Sequence, residues 1–511
     1  MSIPNNFRVC TAEENRAMDA YTIQDFGIPS FTLMEIAGAK TAASILPHLK
    51  PQSRGLVLCG KGNNAGDALV VTRHLHRMGF QFDLVFVSRT EELSEDTTKN
   101  FAFVQKLIDG DPNPNNPAIT ITEGWQPDKI DAKHYTFIID GLLGTGLSSA
   151  LRGDYAKAVD WANDSGLPIY SIDVPTGLHA DTGKVLGNCM RARMTCTYGA
   201  LKTGFYIGNG PEYAGEIVFC DLGFPDEATP KSERFIIDES WIDQQPEPVR
   251  HPRHKYEAGV VYLIAGSEGL TGAVQLAAQS AWRMGVGAVT VIIPHALLPV
   301  FETSLVHQVK VPVGKREDYH FKPGHVDQIL EMINDRPGSV LLGPGLGRHA
   351  ETVAFVHKLT SQLTTDLVID ADGLWCLSQN DFPKINGDTS WILTPHPGEL
   401  SQLTGKSATD DNFERMQIAE KLAQDHNITV VSKGMPTYVA EQGHHTLMTA
   451  YDTTIFSRTG YGDILAGKIV AGLALGYKPT ISCAKALLDG KQKYYNALKS
   501  NNYPPEPLDL V

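Results

Sequence analysis

The sequence predicts an α/β protein of two domains, each built on a mostly parallel sheet covered by helices. Three observations carry this. Short apolar runs of strand length recur and end in glycine or aspartate, such as GLVLCG (55–60) and VVYLIAG (260–266). Segments with helical spacing separate them. The apolar rhythm weakens once, between about 222 and 256, in a stretch rich in proline and charge. Strands alternating with helices predict parallel pairing, and uninterrupted apolar strands predict burial on both faces. A chain of 511 residues also exceeds one typical core.

In the first half, GLVLCG is followed by NAGDALVVTRHLHRMG, whose Leu69, Val70, Leu75 and Met78 are expected to share one buried side. FDLVFVS, YTFIIDG and PIYSIDVPTG follow as strands. The boundary is expected near residue 230, giving domains 1–230 and 231–511. The stretch between reads as a linker holding one short strand, RFIID. In the second half VVYLIAG, AVTVIIP, SVLLGPG, DLVIDADG, SWILTPHPGE and ITVVSKG are strands, and AVQLAAQSAWRMGVG is a helix. No short-period repeat occurs, which excludes a solenoid.

Composition narrows the function. Hydrophobic residues make up 42% and charged residues 20% of the chain, as in ordinary globular proteins. A net charge of −14 argues against nucleic acid as a partner, which requires a basic footprint. Small anions remain possible, because helix N-termini bind phosphate through backbone N–H groups. The seven cysteines form no CxxC pair, which argues against structural zinc and fits a reducing compartment. The N-terminal stretch has no apolar signal core, and no apolar run approaches a membrane span of roughly 20 residues. A cytoplasmic protein without membrane contact is expected.

Ligands of such sheets bind beyond the carboxyl ends of the strands. Glycine and aspartate cluster there. GKGNNAGD follows the first strand. DGLLGTG places Asp140 at a strand end with Gly144–Gly146 just beyond, and IDVPTG does the same for Asp173. Glycines let backbone N–H groups approach a ligand, and the Asn, Asp and Thr oxygens suit a monovalent cation or a ribose. GKGNNAGD is neither GxGxxG nor a P-loop, and it could equally be a helix cap.

Together with IDVPTGLHADTGKVLGNCMRARMTCTYGALKTGFYIGNGPEYAG, these motifs resemble the NAD(P)H-hydrate epimerase family over nearly all of residues 10–225. The resemblance implies a Rossmann-like fold that interconverts the R and S forms of NADHX and NADPHX, nicotinamide cofactors hydrated at C6. It implies substrate contacts at Asn63, Asn64, Ala65, Gly66 and Asp67, at Gly144, Thr145, Gly146, Leu147, Ser148, Ser149 and Ala150, and at Asp173. It further implies potassium held by Asn64, Asp140 and Thr176. The family usually has glycine at 65 and serine at 176. Epimerisation at a carbinolamine carbon needs a proton shuttle, which the Asp173 carboxylate can be.

LLGPGLGR (341–348), VIDADGLWCLS (368–378), TPHPGELSQL (394–403), VVSKGMPT (430–437) and RTGYGDILAG (458–467) follow strands in the second half. In this order they resemble the NAD(P)H-hydrate dehydratase family, over about residues 250–500. The resemblance implies a ribokinase-like fold. Its ADP- or ATP-dependent reaction, with Mg2+, phosphorylates the 6-hydroxyl of S-NAD(P)HX, and loss of phosphate regenerates NAD(P)H. Asp463 is then the base, and Gly462 stabilises the moving phosphoryl at the start of a helix from Ile464. Lys433, Gly434, Met435, Pro436 and Thr437 contact nucleotide. Ala273, Gly345, His396, Pro397, Gly398, Glu399, Leu400, Ser401, Gln402 and Asp463 line the hydrated-cofactor pocket. A homo-oligomer is implied as well.

Other readings stay open at this level. Asp370 and Asp372 could be paired acid–base carboxylates or a strand-end turn. His396 reads as a pocket-lining loop residue, GHH (443–445) as an exposed hairpin and HPRHK (251–255) as linker. The family usually reads close to NPGMATGGTGD where this chain has TTIFSRTGYGD, so Tyr461 stands where a threonine or serine is usual. The leading reading is a fused repair enzyme with both activities. A ribokinase-type small-molecule kinase with an accessory domain, or one half kept as a cofactor-sensing module, are the alternatives.

Overall fold

The short apolar runs that end in glycine or aspartate become the central strands of two sheets. The computed structural model describes residues 7–113, 117–230, 233–248, 254–383, 385, 389–443, 445–500 and 503–511. The chain divides into two units, Met1–Glu233 and Arg234–Val511.

The first unit contains β1 (Val9–Cys10), β2 (Arg54–Cys59), β3 (Gln81–Phe86), β4 (Ile119–Glu123), β5 (Phe137–Gly141), β6 (Ile169–Ile172), β7 (Met194–Tyr198), β8 (Leu201–Lys202) and β9 (Glu216–Cys220). Seven of these form one sheet in the order β4-β3-β2-β5-β6-β7-β9, parallel throughout. The chain runs outward from β2 to β4 and then returns to β5 on the other side. The β2/β5 junction is therefore a topological switch point, where two successive loops part and leave a crevice. GKGNNAGD and DGLLGTG are the loops that leave it. At Gly60 a Cβ would lie 2.0 Å from the Leu142 carbonyl oxygen, so only glycine lets these two loops touch.

The helix Asn63–His76 buries Ala65, Ala68, Leu69, Val70, Val71 and Leu75, more than one face. It is covered by the helices Ser30–Ile45 and Glu95–Asp109. Met78, expected on the buried side, is instead 53% exposed. The helix stops at His76, and the turn into positive-φ Gly79 carries Met78 outward.

The second unit contains β10 (Arg234–Ile237), β11 (Val260–Ile264), β12 (Ala288–Pro294), β13 (Val309–Val313), β14 (Ser339–Leu342), β15 (Leu367–Ile369), β16 (Trp391–Leu393), β17 (Thr429–Ser432), β18 (Tyr438–Glu441) and β19 (Thr446–Thr449). Their order is β10-β19-β18-β17-β16-β15-β14-β11-β12-β13. Pairing is parallel except that β18 runs against both β17 and β19. RFIID is no isolated linker strand. It is β10, the sheet edge, paired in parallel with β19, because Phe235 and Ile237 bury their side chains there.

The helix Tyr461–Ala474 is apolar and buried on nearly all sides. It packs on the helix Thr271–Arg283 so closely that a Cβ at Gly467 would lie 2.3 Å from the Ala277 carbonyl. Ser280 Oγ also donates to the Ile464 carbonyl across this contact. Among the described residues no helix is long and apolar enough to cross a membrane. His444 of the GHH turn and residues 251–253 of HPRHK lie outside the described residues.

Candidate active sites

Each unit carries a cavity at the carboxyl ends of its strands. The first, of about 580 Å³, is lined by Asn63, Asn64 and Asp67 from the start of the helix Asn63–His76. Gly144, Thr145, Gly146, Leu147, Ser148 and Ser149 line it from the loop after β5, and Asp173 from the end of β6. Ala65 and Gly66 do not line it. A helical turn sends residues 63, 64 and 67 toward one face and the two between them inward, where a Cβ on Gly66 would strike Met34 and Thr97. Ala150 also stays outside, exposed to solvent.

Asp173 sits in the left-handed region, φ 61°, at the end of its strand. Its carboxylate takes the Lys202 ammonium at 2.6 Å. That lysine is fully buried and also donates to Thr197 Oγ1 and the Tyr198 carbonyl, at 2.8 and 2.7 Å. Asp19, Asn15 and Arg16 enter the same cavity from the helix Ala12–Ala20. Burial pushes the Asp19 carboxyl up to about 6; Lys202 opposes the shift and Asp173 adds to it. Burial raises Asp67 well above the carboxylate range, with Asp173 and Asp19 adding repulsion. The site thus sets an aspartate bonded to a lysine beside two carboxyls that burial shifts toward their protonated forms, a base–acid pairing. Lys202 and Asp19 were missed from sequence. They lie far from the glycine motifs in the chain and have no spacing signal of their own.

Asp140 and Thr176 lie behind the cavity wall. The Asp140 carboxylate is completely buried and accepts from Thr176 N and Oγ1 and Ser171 Oγ, at 2.9, 2.7 and 2.8 Å. Burial raises its carboxyl, against these hydrogen bonds. Asn64 is anchored by Nδ2 to the Ile172 carbonyl. Its Oδ1 lies 2.6 Å from where a Gly144 Cβ would be. Asn64 Oδ1 is a neutral oxygen and Asp140 a buried carboxylate, donor types that suit a monovalent cation.

The second cavity, of about 570 Å³, is lined by Asp370, His396, Pro397, Glu399, Lys433, Gly434, Met435, Thr437, Gly462 and Asp463, together with Thr453, Thr454 and residues 456–461. The expected residues Asp463, Gly462, Lys433, His396 and Glu399 are therefore brought together from three segments: those after β16 and β17 and the start of the helix Tyr461–Ala474. The helix begins at Tyr461, with Gly460 as its cap, rather than at Ile464. Asp463 thus lies inside the first turn, where backbone N–H groups have no intrahelical partner.

Lys433 organises this site. Its ammonium bonds Asp370 Oδ1 at 2.8 Å and lies 4.0 Å from Glu399 Oε2. A Cβ on Gly462 would be only 3.4 Å from it. Burial disfavours its charge, but Asp370, Glu399 and Asp463 outweigh that and hold it above its ordinary value. Burial, with help from Asp370 and against Lys433, pushes the Asp463 carboxyl up to about 7. Burial likewise pushes Glu399 up to about 7, opposed by Lys433.

Asp370 and Asp372 do separate things. Asp370 is buried and bonded to Lys433 and to Thr394 Oγ1. Asp372 starts a short helix and accepts from the Gly347 N–H and Arg348 Nε, fastening the GPGLG loop. His396 caps the helix Pro397–Thr404; its Nδ1 accepts from the N–H groups of Gly398 and Glu399. Leu400 turns into the core. Ser401 bonds the Lys406 carbonyl, and neither Ser401 nor Gln402 lines the cavity. Ala273 lies in the first turn of the helix Thr271–Arg283, and Gly345 packs on Leu270 just before it. Arg415 donates to the Ser432, Lys433 and Pro436 carbonyls and so shapes the KGMPT loop. Pro436 itself follows a cis peptide bond.

Tyr461 does not fill the anion corner. Its ring is 4% exposed and packs with Phe456, Tyr494, Leu510 and Val511. Its hydroxyl donates to the Pro505 carbonyl at 2.6 Å. The bulky residue therefore ties residues 505–511 to the start of this helix.

Residues 30–204 match the family described as YjeF-related protein N-terminus, and residues 261–502 match NAD(P)H-hydrate dehydratase. The chain is 36% identical over 497 residues to a bifunctional NAD(P)H-hydrate repair enzyme Nnr of Salinibacter ruber, covering 94% of this chain and 90% of that one. A Moorella thermoacetica protein of the same name is 31% identical, covering 93% and 89%. A third, from Thermofilum pendens, is 30% identical with the same coverage.

Two outcomes follow from the packing. Lys202→Met leaves Asp173 without its cation and should cost about 3–5 kcal/mol, read by urea unfolding of the first unit. The double variant Lys202→Met/Asp173→Asn should recover part of that loss; strict additivity would show that the pair is uncoupled. Tyr461→Thr should cost about 3–5 kcal/mol as a large-to-small core change and expose residues 503–511 to limited proteolysis. Unchanged cleavage would show that the ring does not hold that segment.

Proposed function

The chain belongs to the bifunctional NAD(P)H-hydrate repair enzymes, and from that premise we propose how its two cavities divide the work. The protein epimerises R- and S-NAD(P)HX and dehydrates the S form to NAD(P)H with a nucleotide. Epimerisation is assigned to the first cavity. There Asp173, held by Lys202, takes the proton of the C6 hydroxyl, and Asp67, whose carboxyl burial raises furthest, returns one to the ring nitrogen as the ring opens and recloses. The dinucleotide lies along Asn63, Asn64 and the 144–149 loop. Potassium is assigned to Asn64 Oδ1 and Thr176 Oγ1, with the Asp140 charge behind them; bound there it would fix the loop after β5.

Dehydration is assigned to the second cavity. The observation that carries this is one ammonium, on Lys433, set between Asp370, Glu399 and the turn that bears Gly462 and Asp463. Asp463 takes the proton of the 6-hydroxyl as the terminal phosphoryl of ADP or ATP moves to that oxygen. Lys433 and the first N–H groups of the helix Tyr461–Ala474 hold the charge on the phosphoryl. The segment Gly434–Thr437 and residues 453–458 receive the rest of the nucleotide. Among the described residues no group of three or more His, Cys, Asp or Glu side chains forms a metal cage. Magnesium therefore arrives on the nucleotide phosphates, its usual habit. All seven cysteines are buried thiols, which supports a reducing, cytoplasmic setting.

Chemically hydrated NADPH, as an R/S mixture, tests the reading through the return of dihydronicotinamide absorbance with ADP and ATP in parallel. Complete nucleotide-dependent recovery is expected. Recovery of the S fraction alone would remove the epimerase assignment; no recovery with either nucleotide, or a stable phosphorylated product, would remove the dehydratase. Asp463→Asn should lower dehydration about 10²–10⁴-fold and spare epimerisation, and Asp173→Asn should do the reverse. Because Asp463 must be ionised to act and sits at about 7, kcat/KM for dehydration should rise through pH 7 and level off above it. Below that point it should fall about tenfold per pH unit. A profile flat from pH 5 to 8 would exclude Asp463 as the base.

A further inference from the structure

We propose that Glu399 is a second catalytic base of the dehydratase cavity, taking the proton from C5 of the nicotinamide ring after phosphate leaves C6. The inference rests on the dehydratase reading above and concerns a step which that reading leaves without a residue.

The atoms require such a group. In the first step the 6-hydroxyl gives its proton to Asp463, its oxygen bonds phosphorus, and the nucleotide's bridging P–O bond breaks. In the second, the C6–O bond breaks, phosphate leaves with the electron pair, and the N1 lone pair forms a C6=N1 iminium. In the third, the C5–H bond breaks, its electrons form C5=C6, and the iminium electrons return to nitrogen. The product is the dihydronicotinamide, and one proton needs an acceptor. Asp463 already carries the hydroxyl proton. Without a second acceptor, water adds back to C6 and the phosphoryl group is wasted.

The other candidates that line the cavity are committed. Asp370 is bonded to both Lys433 and Thr394 and is almost wholly buried. His396 accepts two backbone N–H groups at Nδ1, which fixes its proton on Nε2 and makes it a donor. Glu399 is different. Its Oε2 accepts the His396 N–H at 2.8 Å and lies 4.0 Å from the Lys433 ammonium. Its Oε1 faces His396 Nε2 at 3.5 Å and is the carboxylate oxygen left for a proton. Burial brings its carboxyl to about 7, where it both accepts and releases a proton near neutrality. Lys433 thus has a carboxyl on either flank, Glu399 on one and the Asp463 turn on the other, one for each proton.

Glu399 also closes the capping box of its helix, so a purely structural role must be told apart from a catalytic one. Glu399→Gln keeps a side-chain oxygen for the cap and removes the base. The full-length protein is supplied with S-form hydrated NADPH and nucleotide, and nucleotide consumed is measured against NADPH formed. The wild type should use one nucleotide per NADPH. In Glu399→Gln the ratio should rise roughly tenfold, because the iminium is recaptured by water, and Glu399→Asp should bring it back toward one. A damaged cap would slow both products together and leave the ratio at one. A ratio of one in Glu399→Gln, at whatever rate, overturns the proposal and passes the C5 proton to the departing phosphate. A wild type that consumes no nucleotide overturns the dehydratase reading itself.

Discussion

An ammonium bonded to a strand-end aspartate is the interaction on which both sites depend. Lys202 bonds Asp173 at 2.6 Å in the first unit, and Lys433 bonds Asp370 at 2.8 Å in the second. A buried charge is costly unless it is paired and hydrogen-bonded. Each lysine meets that condition with one carboxylate and leaves the others to feel burial and mutual repulsion. Asp67 and Asp19 rise in one site, and Asp463 and Glu399 in the other. The same physics therefore raises carboxyls in both sites, with Asp19 at about 6 and Asp463 and Glu399 at about 7.

The parallel sheets make this arrangement possible. All carboxyl ends of parallel strands open on one edge, and the following helices point their N-termini back at it. In the first unit the loops after β2 and β5 part at the switch point and form the cavity. In the second the ends of β15, β16 and β17 each contribute a polar residue, and the helix Tyr461–Ala474 brings the fourth. That helix holds its place because it is small, apolar and packed against the helix Thr271–Arg283. Its polar first turn is exposed to the cavity and its remainder is core.

Tyr461 is the bulky residue at the start of this helix, and its surroundings give it a packing role. A tyrosine beside Gly462 would crowd an anion if its ring turned toward the cavity. Its ring is instead buried in the cavity wall with Phe456, Tyr494 and Leu510, and its hydroxyl donates to the Pro505 carbonyl. The start of the helix is thereby strapped to residues 505–511.

The sequence by itself determined the two α/β units and the strands that end in glycine or aspartate, and the family resemblance named part of each cavity's lining. Those signals are local: period, turn chemistry and glycine at strand ends. The carry-over of whole motifs named Asn63–Asp67 and His396–Gln402 as continuous runs. Tertiary structure divided them, because a helix faces a cavity with only part of each turn; Ala65, Gly66 and Leu400 point elsewhere. It also turned RFIID into a sheet edge and carried Met78 to the surface. Lys202, Asp19 and the partnership of Lys433 with Asp370 and Glu399 were decided only in three dimensions. Charge pairing and burial depend on which distant segments the fold brings within a few ångströms, and no spacing along the chain records that.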